Sequence, residues 1–83
     1  MQAKLKLFAS LSDFLPSGAQ ANQIDIDIGD GESVAAIIER FHLPDRLVHL
    51  VLVDGVFIKP EDRAQRDLKD GEVLAIWPPV AGG

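Results

Sequence analysis

The chain has 83 residues, 47% of them apolar, with a formal net charge of −5 and no cysteine. A chain of this length makes one domain with a modest core, burying about 60–65% of its unfolded surface. The missing thiols exclude disulfides, a thiolate nucleophile and zinc-finger sites, and an acidic balance with dispersed lysines and arginines argues against nucleic-acid phosphates and anionic membranes as partners.

The longest purely apolar run, residues 50–53, is far too short for a membrane span. Met1-Gln2-Ala3-Lys4 opens no signal-peptide pattern, and a cytoplasmic location is expected. A basic protein partner fits the charge sign, because opposite charge steers association.

Taken in chain order, Lys4-Leu5-Lys6-Leu7 alternates polar and apolar, which predicts a half-buried strand over residues 3–9. Residues 10–16 allow one helical turn that Pro16 ends, and residues 17–22 read as a loop. Gln23-Ile24-Asp25-Ile26-Asp27-Ile28 alternates strictly, with the isoleucines on one face and the polar residues facing water. Gly29-Asp30-Gly31 breaks that strand. Ser33 is placed to cap a helix, and Val34, Ile37, Ile38 and Phe41 form one apolar stripe along it. Pro44 limits its continuation.

Residues 47–53 form a strand-like run, and Asp54-Gly55 gives a type I′ hairpin signal with a return strand over residues 56–59. Residues 60–68 are charged and irregular, residues 69–72 read as a turn, and residues 73–77 form the last strand. Pro78-Pro79 stops it, since proline donates nothing to a ladder. A sheet with one helix across one face is the economical way to bury the stripe, so the fold class is α+β.

No side-chain chemistry for an active site emerges. His42 and His49 lack partners at metal-ligand spacing, and His42 suits a helix C-terminus. No serine sits in a nucleophile elbow. Asp25 and Asp27 point outward from a strand, where solvated carboxylates keep ordinary chemistry, and Glu61-Asp62 reads as a solvated surface pair. Gly29-Asp30-Gly31 lacks the lysine and further glycines of a phosphate loop. The chain reads as a non-enzyme that binds no metal and no cofactor.

Two features remain. The strands over residues 47–53 and 73–77 are apolar on both faces, while one helix covers one face. The surplus predicts an uncovered apolar patch for a protein partner, with Trp77, Phe57, Leu50 and Leu52 as its candidates. The chain also closes on Pro78-Pro79-Val80-Ala81-Gly82-Gly83. Glycine has no Cβ, so the Gly83 carboxylate lies at the tip of a thin peptide suited to a narrow channel. Six extended residues reach about 20 Å, and the two prolines stiffen the base.

Leu7-Phe8-Ala9 with Leu11 and Leu15, the Val53-Asp54-Gly55 hairpin, Leu68-Lys69-Asp70-Gly71-Glu72 and the Pro-Pro-Val-Ala-Gly-Gly ending together resemble the MoaD/ThiS sulfur carriers, the ending being nearer to MoaD, the small subunit of molybdopterin synthase. Asp54 stands where that family usually has Asn, and Trp77 where it usually has Phe. The stretch around Phe14 is also similar to ubiquitin-like domains fused to Mut7-C nucleases.

The MoaD/ThiS resemblance implies a β-grasp (ubiquitin-like) mixed sheet over residues 1–77, with Leu74 and Ile76 toward the helix, and an extended functional tail over residues 78–83. It implies that a MoeB/ThiF-like enzyme uses ATP to adenylate the Gly83 carboxylate, and that a sulfur donor protein converts it to a thiocarboxylate. The sulfur then passes to a receiving enzyme such as a molybdopterin synthase large subunit. Pro78, Pro79, Val80, Ala81 and Gly82 would thread the partner's channel. A ubiquitin-like modifier conjugated to lysines, a carrier for thiamine or amino-acid sulfur, and a plain interaction module are the competing readings.

Overall fold

The computed structural model describes residues 1–79. Strand β1 (Gln2–Leu7) lies at the heart of the sheet, antiparallel to β2 (Gln23–Asp27) on one side and parallel to β5 (Val73–Trp77) on the other. Beyond β5 come β3 (Leu50–Val53) and the short β4 (Val56–Phe57), both antiparallel to their neighbours, in the order β2-β1-β5-β3-β4. Among the described residues the one α-helix, α1 (Val34–Arg40), lies between β2 and β3 in the chain. This is the mixed β-grasp sheet with one main helix.

The alternation read in the sequence decides the faces. Leu5 and Leu7 of β1, Ile26 of β2, Val51 and Val53 of β3, and Leu74 and Ile76 of β5 are buried in one cluster with Val34, Ile37 and Ile38 of α1. Phe41 and Leu15 pack against it half-buried. Ser33 caps α1, its Oγ accepting the Ala36 N–H at 3.1 Å. The helix ends on His42 at φ 57, where the His42 N–H bonds the Glu39 carbonyl and the Leu43 N–H bonds the Ile38 carbonyl. A left-handed residue closing those two bonds is a common way to end a helix.

The hairpin between β3 and β4 has Asp54 at φ 49 and Gly55 at φ 83, the two positive values a type I′ turn requires. Asp54 has a second use, since its Oδ1 accepts the Val73 N–H at 2.8 Å and pins the start of β5.

Four boundaries differ from expectation. Strand β1 ends at Leu7 because Ala9, at φ 51, turns the chain into a 3₁₀ helix, Ala9–Phe14, in place of the single helical turn expected further on. Strand β2 stops one residue short of Ile28, which is buried in the core. Strand β3 begins at Leu50, not at residue 47. Pro44 starts a 3₁₀ turn, Asp45–Leu47, in which the Leu47 N–H bonds the Pro44 carbonyl and the Val48 N–H bonds that of Asp45. The return strand shrinks to Val56–Phe57, because Pro60 leads the chain into another 3₁₀ turn, Pro60–Asp62.

Among the described residues no helix is long and apolar enough to cross a membrane.

Candidate docking face at the root of the tail

The sheet face opposite α1 gathers the four side chains expected to meet a partner. Leu50 pairs with Trp77, Leu52 with Ala75, and Leu52 again with Phe57, so the four stand side by side across β5, β3 and β4. Phe57 is 50% exposed and Leu50 37%, values that leave both available to another surface. Leu52 and Trp77 are half-buried. Ala75 is covered although it points away from the helix.

The irregular segment over residues 60–68 does not cover this face. It is tied to α1 by hydrogen bonds from the Val34 N–H to the Arg66 carbonyl and from the Ala35 N–H to the Arg63 carbonyl, and the Leu68 N–H bonds the Glu32 carbonyl. The 3₁₀ helix Ala9–Phe14 places Leu11 in the core.

A fifth residue completes the patch and was not among the sequence candidates. Phe8 lies flat against Trp77, with ring centroids 4.1 Å apart and planes 4° from parallel. The period of two through Lys4, Lys6 and Phe8 carried the signal, since it puts Phe8 on the outer face. What the sequence did not show is that β1 runs beside β5, which brings Phe8 to Trp77. On the β1–β2 side the same face turns polar, with Lys4 and Asp25 paired at 3.5 Å. The patch is therefore apolar from Phe8 across to Phe57 and rimmed by charge, the usual composition of a protein-docking surface.

The tail leaves from the edge of this patch. The Trp77 carbonyl accepts the His49 N–H at 3.1 Å, and Pro78 and Pro79 follow with no N–H to offer. Of the expected tail residues, Val80, Ala81, Gly82 and Gly83 lie outside the described residues.

Two electrostatic features lie away from the patch. Arg66 grips Glu72 with both terminal nitrogens, Nη2 to Oε2 at 2.6 Å and Nη1 to Oε1 at 3.2 Å, and the Lys69 N–H donates to the same carboxylate at 2.7 Å. The hydrogen bond from Arg66 holds the Glu72 carboxyl below its ordinary value, against the opposing effect of burial. On the helix side, His42, Asp45 and Arg63 line a cleft beside α1. Burial lowers the Arg63 pKa while Asp45 pulls it upward. Asp25, Asp27, Glu61, Asp62, His42 and His49 are all exposed. Asp25 pairs with Lys4, and Asp27 accepts from the Gln2 amide at 3.0 Å.

Comparison with known proteins agrees with the fold. The HVO 2177 protein of Haloferax volcanii is 25% identical, covering all of this chain and 87% of its own, with a TM-score of 0.76. SAMP1 of the same organism is 24% identical over the whole of both chains, with a TM-score of 0.66. A chain from the complex of subunits 1 and 2 of molybdopterin-converting factor of Helicobacter pylori 26695 is 18% identical over the whole of both chains, with a TM-score of 0.61. A search of curated proteins finds no match. The ThiS family model matches residues 5–83, which take in every strand but the start of β1, the helix and the Gly-Gly end. The chain belongs to the ThiS family, the MoaD/ThiS group of small β-grasp carrier or modifier proteins.

Proposed function

We propose that the protein is a sulfur carrier whose working atom is a carboxylate oxygen of Gly83. The observation that carries the reading is the family match running to residue 83, through Gly82-Gly83. A free carboxylate resists nucleophiles because it is anionic and resonance-stabilised. A MoeB/ThiF-like partner removes that resistance by joining it to the α-phosphate of ATP, releasing pyrophosphate and leaving an acyl-adenylate. A hydrosulfide equivalent released by a donor protein then attacks the acyl carbon, expels AMP and gives up its proton, which leaves a terminal thiocarboxylate.

The carrier itself supplies no catalytic side chain and binds no cofactor in this scheme, and ATP belongs to the partner. With no cysteine in the chain, no internal thiol intercepts the activated terminus. The outer face through Trp77, Leu50, Leu52 and Phe57 docks the activating enzyme and the receiving enzyme in turn, while Pro78, Pro79, Val80, Ala81 and Gly82 carry Gly83 into each active site. Molybdopterin-type synthesis is the favoured destination, with a large synthase subunit as receiver. The Helicobacter pylori neighbour, which is in a complex of subunits 1 and 2, supports that choice. Dependence on ATP and on a donor protein sets the reaction in the cytoplasm.

The test is intact-mass analysis after incubation with a cognate activating enzyme, ATP and a sulfur donor. Replacement of one oxygen by sulfur, located on Gly83, is the expected result. An unchanged mass with a demonstrably active enzyme overturns the proposal. Isopeptide conjugates to lysines in place of the thiocarboxylate would select the modifier reading, which shares the adenylation step and which the SAMP1 neighbour keeps in view.

A further inference from the structure

The tail root has an anchor that the carrier reading alone does not require. Trp77 is the last residue of β5, and beyond it Pro78 and Pro79 bring no N–H to the sheet. The direction of the outgoing chain is thus set at Trp77, whose backbone is held to an extended conformation by the proline that follows. Its carbonyl is bonded to the His49 N–H. Its ring is held by Phe8, stacked 4.1 Å away and within 4° of parallel.

Phe8 is in turn fixed on both sides of its own backbone. Its N–H donates to the Ile76 carbonyl at 3.2 Å, and its carbonyl accepts the Leu11 N–H at 3.1 Å. Leu11 is fully buried, so that second bond ties Phe8 to the core. Ala9 turns the chain at φ 51 immediately after it, an unusual conformation for a residue with a Cβ. The bend at Ala9 follows directly on Phe8, whose ring lies stacked against Trp77.

We infer that Phe8 is a positioning residue for the transfer reaction: by holding Trp77 it fixes the direction in which Pro78-Pro79 leave the sheet at the root of the tail. The inference rests on the sulfur-carrier reading. Two prolines in an extended helix span about 6 Å. A rotation of about 20° at their base therefore moves their far end by on the order of 2 Å. Misplacement of about 1 Å can cost a reaction up to about a hundredfold in rate, so a loose root is felt at the reacting carboxylate even when docking is unchanged.

The experiment compares wild type with Phe8→Ala, Phe8→Leu and Phe8→Tyr in two measurements. Trp77 is the only tryptophan, so time-resolved fluorescence anisotropy reports its ring motion without any partner. Loading of Gly83 by the activating enzyme, ATP and sulfur donor, followed as a function of carrier concentration, separates kcat from KM. The inference expects Phe8→Ala to add a fast ring motion and to lower kcat by about tenfold or more, whatever happens to KM. Phe8→Tyr, which keeps the stack, restores both. Phe8→Leu, which keeps apolar bulk without a ring, behaves as Phe8→Ala and replaces it if the alanine variant fails to fold. A rise in KM with kcat unchanged would make Phe8 a contact residue only and overturn the inference, as would a Trp77 ring that stays fixed in Phe8→Leu. A wild-type protein that takes up no sulfur overturns the carrier reading and the positioning role with it. That outcome is distinguishable because it needs no variant.

Discussion

Phe8 and Trp77 stack face to face at 4.1 Å, joining the end of β1 to the end of β5 on the sheet face that α1 leaves uncovered. The stack resolves the position of Trp77, which the sequence left between core and surface. The ring is half-buried, with one side against Phe8 and Leu50 as its cross-strand neighbour on β3. It is supported by the fold and still available to a partner.

Trp77→Ala is therefore expected to have two moderate effects. Loss of the stack and of part of its buried area lowers stability by about 1–2 kcal/mol, since aromatic pairs contribute about 0.5–1.5 kcal/mol beyond area burial. A fully buried aromatic would cost about 3–5 kcal/mol. The same variant weakens partner binding by about tenfold, or roughly 1.4 kcal/mol. A thermal melt and a binding titration on the same sample separate the effects. Normal melting together with normal binding would remove Trp77 from both roles.

Phe57 offers the cleaner probe of docking. It is 50% exposed at the β4 edge, so Phe57→Ala is expected to change stability by less than about 0.5 kcal/mol. If the patch docks partners, the variant weakens binding about tenfold, or roughly 1.4 kcal/mol, the size expected when an exposed aromatic contact is truncated. Loss of stability without loss of affinity would mean that Phe57 is serving the hairpin and not a partner.

The Arg66–Glu72 pair makes a prediction about pH. Arg66 and Glu72 side chains are 32% and 16% exposed, so solvent screens the pair only in part. The Glu72 carboxyl is held below its ordinary value, first by the Arg66 hydrogen bonds and then by the Lys69 N–H. A lowered carboxylate pKa contributes stability above the unfolded value of about 4.3 and loses it as pH falls through the lower folded value. Glu72→Gln is expected to cost about 1 kcal/mol at neutral pH. The gap between variant and wild type should narrow as pH drops below about 4. Melts at a series of pH values check this, and a gap that stays constant would show that the carboxylate's charge contributes nothing.

Particular residues show how far the sequence reached. β5 was legible to the residue, because the Gly71 turn precedes it and Pro78 closes it. The Ser33 cap and the Asp54-Gly55 turn were legible because each rests on local chemistry. The start of β3 was not, because Leu47 and Val48 carry strand-like side chains while the 3₁₀ bonds after Pro44 claim their backbone. Four of the five residues on this face were read from two-faced apolar strands. Phe8 was missed because its partner Trp77 lies at the other end of the chain, and only the parallel β1–β5 pairing brings them together. The Arg66–Glu72 grip was equally hidden, since nothing in an irregular charged segment marks which charges meet.

The last prediction separates the fold from the proposed chemistry. Among the described residues the core cluster runs from Ala3 to Ile76 and includes none beyond β5. Removal of Gly82-Gly83 should therefore shift stability by only a few tenths of a kcal/mol, as substitutions outside a core do. It should leave docking through Phe57 and Leu50 intact, because both stand on strands of the sheet, β4 and β3, and abolish sulfur loading entirely. The truncated protein would then compete with wild type for the activating enzyme while accepting no sulfur. Intact mass, a melt and a competition titration read the three quantities separately. A large drop in melting temperature would place the tail in the folded core, and continued sulfur uptake at a new position would move the working carboxylate away from Gly83.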